Sequence, residues 1–242
     1  MHTQLLYLES LDVTTSTAQV VNILIENDKT VIILDKTVFY PQGGGQPYDT
    51  GIIENNSGKF LVTEVRFVDG IVKHIGMFVQ GSFAVNDMVQ CMVNLERRAL
   101  NSRLHSAGHV IDMAVDRLGL DWVAGKAFHF PEGPYVEYAG NLEGTDKDEL
   151  LKQIQDTCRN IVKTNFNTRL LFMSKSEMPS VCNHVPAYIP ENKPGRVVMY
   201  GDFGIPCGGT HVTQASEIGD IIIRKIKNEK GAIRVSYDVP RK

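Results

Sequence analysis

Little in this chain of 242 residues suits a membrane or a disulfide-stapled scaffold. No apolar run approaches the ~20 residues that a membrane-spanning helix needs. The four cysteines, at positions 91, 158, 182 and 207, show neither CxxC spacing nor a dense framework. Reduced thiols are therefore expected rather than disulfides. The stretch Met1 to Asp12 lacks a basic run and carries Glu9 and Asp12 where a signal peptide would be apolar, so a cytoplasmic location is expected. Repeats and low-complexity segments are absent. With 43% hydrophobic and 22% charged residues, the chain has the composition of an ordinary globular protein with enough apolar residues for a core.

Strong net charge is also lacking: the formal value is −3. Its distribution is uneven, however. Gly219 to Lys242 holds seven basic residues against three acidic ones, which makes that segment +4 and the remainder −7. Such a segment suits contact with phosphates; charge alone equally suits a solvated hairpin face.

The first 94 residues read as short strands with turn punctuation. Val20 to Ile25, Val31 to Leu34, Phe60 to Phe67 and Ile71 to His74 are β-branched or aromatic runs, separated by Asn27-Asp28, Asn55-Asn56 with Gly58, and Asp69-Gly70. A β-barrel-like domain is expected over 1–94. Leu95 to Leu118 reads as a helix ending at Gly119. Its apolar stripe is Leu100, Leu104, Ile111, Ala114, Val115 and Leu118, with His105, His109, Asp112 and Asp116 roughly opposite. Asp146 to Asn165 reads as a second helix, started by Thr145 with Asp148 three residues on, and Leu150, Leu151, Ile154, Cys158, Ile161 and Val162 make one apolar face. Strands are expected at Arg169 to Met173, Arg196 to Tyr200, Ile218 to Ile226 and around Ile233 to Val239, the last two joined by a turn at Asn228 to Gly231. Helices and strands without a repeating βαβ order predict an α+β domain over 95–242, with an antiparallel sheet and two long helices.

Two short motifs carry chemistry. His105-Ser106-Ala107-Gly108-His109 places two imidazoles one helical turn apart on one side. Cys207-Gly208-Gly209-Thr210-His211 places a thiol and an imidazole on a glycine-rich loop, where glycine permits unusual backbone angles and close approach. Imidazole and thiolate together suit zinc. Each motif alone is weak, since plain surface histidines are common; HxxxH and CxxxH together make a four-ligand set. A rival set uses Cys182 and His184, which a strand would point the same way. A third feature, Thr37 through Pro47 (TVFYPQGGGQP), has neither Gly-Lys-Ser/Thr nor GxGxxG spacing and is not a phosphate loop.

In combination, these pieces resemble the alanyl-tRNA editing family, comprising the editing domain of alanyl-tRNA synthetase and the free-standing AlaX proteins. The matching residues are FYPQGGGQP followed by Asp49 and Gly51, Arg103 to His109, and Pro206 to Val212, in the family's order. The related editing domain of threonyl-tRNA synthetase shares HxxxH and CxxxH but has a Gly-Pro where this chain has Gly209-Thr210. The resemblance implies a β-barrel-like domain bearing the glycine-rich motif and an α+β domain bearing the zinc motifs. It implies a zinc-dependent aminoacyl-tRNA deacylase acting in trans on tRNA(Ala) wrongly carrying serine or glycine at its acceptor end. It implies zinc at His105, His109, Cys207 and His211, Thr37 reading the serine hydroxyl, and Gln46 in the pocket. Gln42 stands where many relatives carry an acidic residue or a Glu-Ser pair, so no general base is assigned there. Four protein ligands would close a tetrahedral zinc site, the structural pattern, so catalysis then needs a fifth ligand or a weak fourth one. The competing expectation is a zinc-stabilised RNA-binding module without catalysis.

Overall fold

The computed structural model describes residues 2–241. The chain forms two compact units, Met1–Gly43 with Pro47–Ala99, and Gly44–Gln46 with Leu100–Lys242. The architecture is dominated by antiparallel sheet, with one closed barrel and two long helices.

In the first unit six strands close a barrel in the order Thr15–Glu26, Lys29–Leu34, Ile71–Gly81, Gly58–Val68, Gly51–Glu54 and Met88–Val93. Two of its hairpins are built by two-residue turns with both φ angles positive, Asn27-Asp28 (50° and 62°) and Asp69-Gly70 (50° and 82°). That geometry matches the twist of the strands they join. Inward side chains alternate along the strands; Gly58, Phe60, Val62 and Val65 are buried on Gly58–Val68. They meet Ala18, Val20, Ile32, Leu34, Ile53, Val72, Val89 and Cys91 in one core. Each such aliphatic or aromatic side chain contributes ~1.5–3 kcal/mol by leaving water. Gly51–Glu54 and Met88–Val93, not anticipated from the sequence, supply the closure, which leaves the barrel no open edge.

The ends of the glycine-rich segment are tied at Tyr40 and Asp49. Asp49 donates its N–H to the Tyr40 carbonyl at 2.9 Å, and its fully buried carboxylate accepts the Tyr40 N–H at 2.7 Å. Arg98 donates to the same carboxylate through Nε at 3.0 and 3.2 Å, and to the carbonyls of Val38 and Val13 at 2.6 and 3.0 Å. A buried ion pair is tolerable only when its remaining donors and acceptors are satisfied in this way.

Helix α1 (Leu95–Arg117), which belongs to the second unit from Leu100 onward, ends where expected. The Leu120 N–H reaches the Val115 carbonyl at 3.2 Å, and Gly119 takes a positive φ of 63°. Its environment differs from the two-striped expectation. From Asn101 to Val115 every residue is buried except the half-buried Asp112, so the histidine stripe faces the interior and not water. Helix α2 (Lys147–Lys163) is capped by Asp146 rather than Thr145; the Asp146 carboxylate accepts the N–H groups of Asp148 and Glu149 at 3.0 and 3.1 Å. Its face of Leu150, Ile154, Cys158 and Ile161 joins the core. Two antiparallel sheets are present where one was expected. One has the order Ile222–Glu229, Ala232–Asp238, Tyr135–Ala139, Val123–Phe128; the other has Thr168–Met173, Gly195–Tyr200, Phe203–Pro206. Among the described residues no helix is long and apolar enough to cross a membrane.

His74 lies fully buried inside the barrel. Its Nδ1 must donate to the Ile32 carbonyl at 2.9 Å, so its Nε2 accepts the Thr37 hydroxyl at 2.8 Å. Burial pulls this imidazole down to about 4, against a smaller upward pull from the Ile32 hydrogen bond. A histidine depressed in the folded state takes up its proton preferentially on unfolding, so stability falls as pH drops from 6.5 toward 4. The full effect is about 3 kcal/mol. Urea denaturation at pH 7 and pH 4.5 should therefore show a smaller loss of stability for His74→Asn than for the unaltered protein. An identical loss in both would contradict the assignment.

Candidate metal centre

The site is assembled from α1, from the loop after the strand Phe203–Pro206, and from Gly44–Gln46. His105 and His109, one turn apart on α1, bring their ring centroids to 4.9 Å. The loop adds Cys207 and His211, and the His105 and His211 centroids lie 4.5 Å apart. The Cys207 Sγ is 3.4 Å from His105 Nε2 and 3.3 Å from His211 Nε2. All four potential ligand atoms fall within 4.8 Å of one another. Tetrahedral zinc, with Zn–N of about 2.0–2.1 Å and Zn–S of about 2.3 Å, separates its ligand atoms by about 3.3–3.6 Å. The cluster therefore has the size and the donor types for that ion.

The outer nitrogen of each ring fixes which inner nitrogen is free. The Thr210 N–H can only donate, so the Gln46 atom it meets at 3.0 Å is the amide oxygen. That oxygen must then accept His105 Nδ1–H at 2.7 Å, which leaves a lone pair on His105 Nε2 beside the thiol. The other end of Gln46 donates to Thr210 Oγ1 at 2.9 Å, and Ser102 donates to the same oxygen at 2.8 Å. His109 Nδ1 donates to Asp112 at 3.1 Å. Its Nε2 is buried with no hydrogen-bond partner among the described residues, a costly arrangement for a polar atom that a metal ion bound in place of a proton would relieve. The Tyr200 hydroxyl, donating to Ser106 at 3.3 Å, can accept His211 Nδ1–H at 2.8 Å. Carboxylate, amide and hydroxyl partners of this kind orient ligand imidazoles and raise their basicity.

The electrostatics agree. Burial, then the neighbouring histidines, push His105 and His211 well below the usual histidine range, so both are neutral. Burial also opposes charge on His109, but Asp112 and the Cys207 thiolate outweigh it and hold His109 at about 9, so a metal ion bound there would displace a proton from Nε2. Burial opposes the Cys207 thiolate; His109, the Gly209 N–H and Arg196 outweigh it and lower the thiol. Arg196 also donates to the carbonyls of Cys207 and Gly209 at 2.8 and 2.9 Å and so clamps the loop. Gly209 is required for space rather than for backbone angle. A Cβ there would lie 2.2 Å from His105 Cε1 and 3.0 Å from Gln46 Oε1.

The structure thus gathers His105, His109, Cys207, His211 and Gln46. Thr37 lies in the first unit, buried, with its hydroxyl donating to His74 and accepting the Phe39 N–H at 3.0 Å. Cys182 packs in a small apolar cluster with Met178, Ile189, Val197 and Met199. Asp112, which suits a solvated carboxylate in the sequence, is half-buried and also accepts the Tyr138 hydroxyl at 2.6 Å; Asp116 is exposed. Sequence reasoning missed His129, Tyr200 and Tyr237, which lie outside both motifs. Ser106 and Thr210 were visible only as filling within them. A cavity of about 490 Å³ opens beside the cluster, lined by His109, Asp112, Lys126, His129, Tyr138 and Tyr188 among others.

Residues 5–97 match the family model described as tRNA synthetases class II (A), and residues 196–236 match the threonyl and alanyl tRNA synthetase second additional domain. An alanine–tRNA ligase of Mycoplasma mycoides subsp. mycoides is 34% identical over 210 residues, 85% of this chain and 23% of the ligase. The ligase of Saccharolobus islandicus strain L.S.2.15 is 32% identical over 217 residues, 86% of this chain and 24% of the ligase. These matches support an AlaX-like editing domain that resembles part of alanyl-tRNA synthetase. A third relative, the alanine–tRNA ligase of Clostridioides difficile strain 630, is 31% identical over 225 residues, again 85% of the chain and 23% of the ligase. The AlaX-like chain therefore spans about a quarter of the length of these relatives. The second-additional-domain match begins on the strand Gly195–Tyr200 and includes both Cys207 and His211.

Because Gln46 fixes the His105 tautomer, Gln46→Ala should weaken zinc binding by about 10–100-fold. Competition with a chromophoric chelator measures this directly, and an unchanged affinity would contradict the role given to Gln46.

Proposed function

We propose that this protein hydrolyses the ester of tRNA(Ala) wrongly charged with serine or glycine, with zinc held by His105, His109, Cys207 and His211. The observation that carries the reading is the four-ligand cluster with its orphaned His109 Nε2, beside a cavity of about 490 Å³ that gives room for an aminoacylated ribose. The chain's similarity to part of the alanine–tRNA ligases suggests the substrate class. Zinc, when bound, supplies a Lewis acid beside an ester. The chain's own residues do the rest. Gln46, Asp112 and Tyr200 hold the three imidazoles in one tautomer and orientation. Gln46, with its amide engaged at both ends, acts through His105 as a positioning residue.

Thr37 is the residue proposed to read the serine hydroxyl. Its own proton goes to His74 and one lone pair to the Phe39 N–H, leaving a second lone pair to accept from a hydroxyl. Alanine would leave that acceptor unpaired, which is the strong form of discrimination. Contact with tRNA draws little support from the basic C-terminal segment. Arg234 there pairs with Glu137 and Glu229 and covers Tyr135, Arg224 donates to the carbonyls of Tyr237 and Pro134, and Lys227 pairs with Glu229.

The closed four-ligand set favours one other reading, a zinc-stabilised RNA-binding module without catalysis. Hydrolysis of Ser-tRNA(Ala) against Ala-tRNA(Ala) separates the two. The proposal expects rapid loss of serine with alanine spared, and a rate about 100-fold lower or less for the His105→Ala, His109→Ala double variant. Zinc-loaded, folded protein that leaves Ser-tRNA(Ala) intact would refute the hydrolase and leave the binding module.

A further inference from the structure

His129 belongs to neither zinc motif, yet it is 1% exposed and lines the cavity beside the cluster. Its ring stacks on His105, with centroids 4.3 Å apart and planes inclined by 23°. The glycine inside the HSAGH motif exists to seat it: a Cβ on Gly108 would lie 2.5 Å from His129 Cε1. Its tautomer is fixed from behind. The Tyr237 hydroxyl gives its one proton to the Leu104 carbonyl at 2.9 Å, so its 2.6 Å contact with His129 Nδ1 requires Nδ1–H as the donor. The lone pair of the neutral ring is therefore on His129 Nε2.

A seryl or glycyl ester brings one group that the zinc ligands do not obviously serve. Its α-ammonium has only N–H donors, and it needs acceptors in a cavity sheltered from water. The cavity is lined by His129, whose Nε2 carries the lone pair, and by Asp112, a carboxylate that already accepts from His109 and Tyr138. We propose that His129 binds substrate by accepting, at Nε2, a hydrogen bond from the free α-ammonium group of the aminoacyl ester. The assignment rests on the editing reading and narrows its substrate class to esters with an unblocked amine. A peptidyl or N-formyl ester would be refused, because its amide nitrogen carries no charge and its added group occupies the same place.

The test is calorimetric binding to the zinc-loaded full chain. One probe is the hydrolysis-resistant seryl amide of 3′-amino-3′-deoxyadenosine. The other is its 3-hydroxypropionyl counterpart, which lacks only the amine. A hydrogen bond to a charged group corresponds to a preference of about 10–100-fold for the amine-bearing probe. His129→Asn keeps a donor toward Tyr237 but removes the Nε2 acceptor. It should bring the first probe down to the affinity of the second, leave the second unchanged, and retain zinc. His129→Gln, which returns an acceptor near Nε2, should recover part of the preference. A preference that persists in His129→Asn, or both probes weakening together with loss of zinc, would overturn the assignment in favour of a packing role. Should the variants not fold, equal binding of the two probes by the unaltered protein overturns it alone. Binding of neither probe by the zinc-loaded protein overturns the editing reading and this assignment with it.

Discussion

The second unit depends on holding three buried imidazoles with their Nε2 atoms turned inward around one thiol. Left without a cation, this is an unfavourable cluster. His109 Nε2 has no hydrogen-bond partner among the described residues, and an orphaned buried polar atom costs about 1–3 kcal/mol. The fold tolerates it because every outer ring nitrogen is held. His105 donates to Gln46, His109 to Asp112, and His211 meets Tyr200. Each of these partners is itself tied down, Gln46 by Thr210, Asp112 by Tyr138 and Tyr200 by Ser106. The result is a preformed site rather than four side chains that happen to be close.

This arrangement explains why α1 is buried on nearly all sides. One face of the helix packs Leu104, Ile111 and Ala114 into the apolar core, and the other supplies His105, His109 and Ser106 to the site. Arg196, on the strand Gly195–Tyr200, joins the two roles: its guanidinium grips the carbonyls of the Cys207 loop while the strand around it packs Val197, Val198 and Met199. Small residues mark the tightest approaches. Gly209 admits the His105 ring, and Gly108 admits His129.

The clustering of the four candidate ligands was legible in the sequence because each pair is local. A helix turn relates His105 to His109, and a four-residue loop relates Cys207 to His211. Their partners were not legible, because they arrive from far along the chain. Tyr200 and Tyr237 read only as strand residues, and His129 reads as an isolated histidine after a weak strand. The barrel's longer hairpins were visible from alternation and from Asn27-Asp28 and Asp69-Gly70. Gly51–Glu54 escaped because it is only four residues long. Val123–Phe128 escaped because it is an edge strand of small residues, mostly exposed, with no apolar alternation. Asp112 looked solvated because its helical position faces away from the apolar stripe; burial of both faces of α1 reverses that reading.

The central claim is that His105, His109, Cys207 and His211 hold one zinc ion together. X-ray absorption at the zinc edge of the stoichiometrically loaded protein tests it most directly. The proposal predicts three nitrogen ligands at about 2.0–2.1 Å and one sulfur at about 2.3 Å, with the sulfur signal lost in Cys207→Ser. A zinc shell of nitrogen and oxygen alone, or one with two sulfurs, would contradict it.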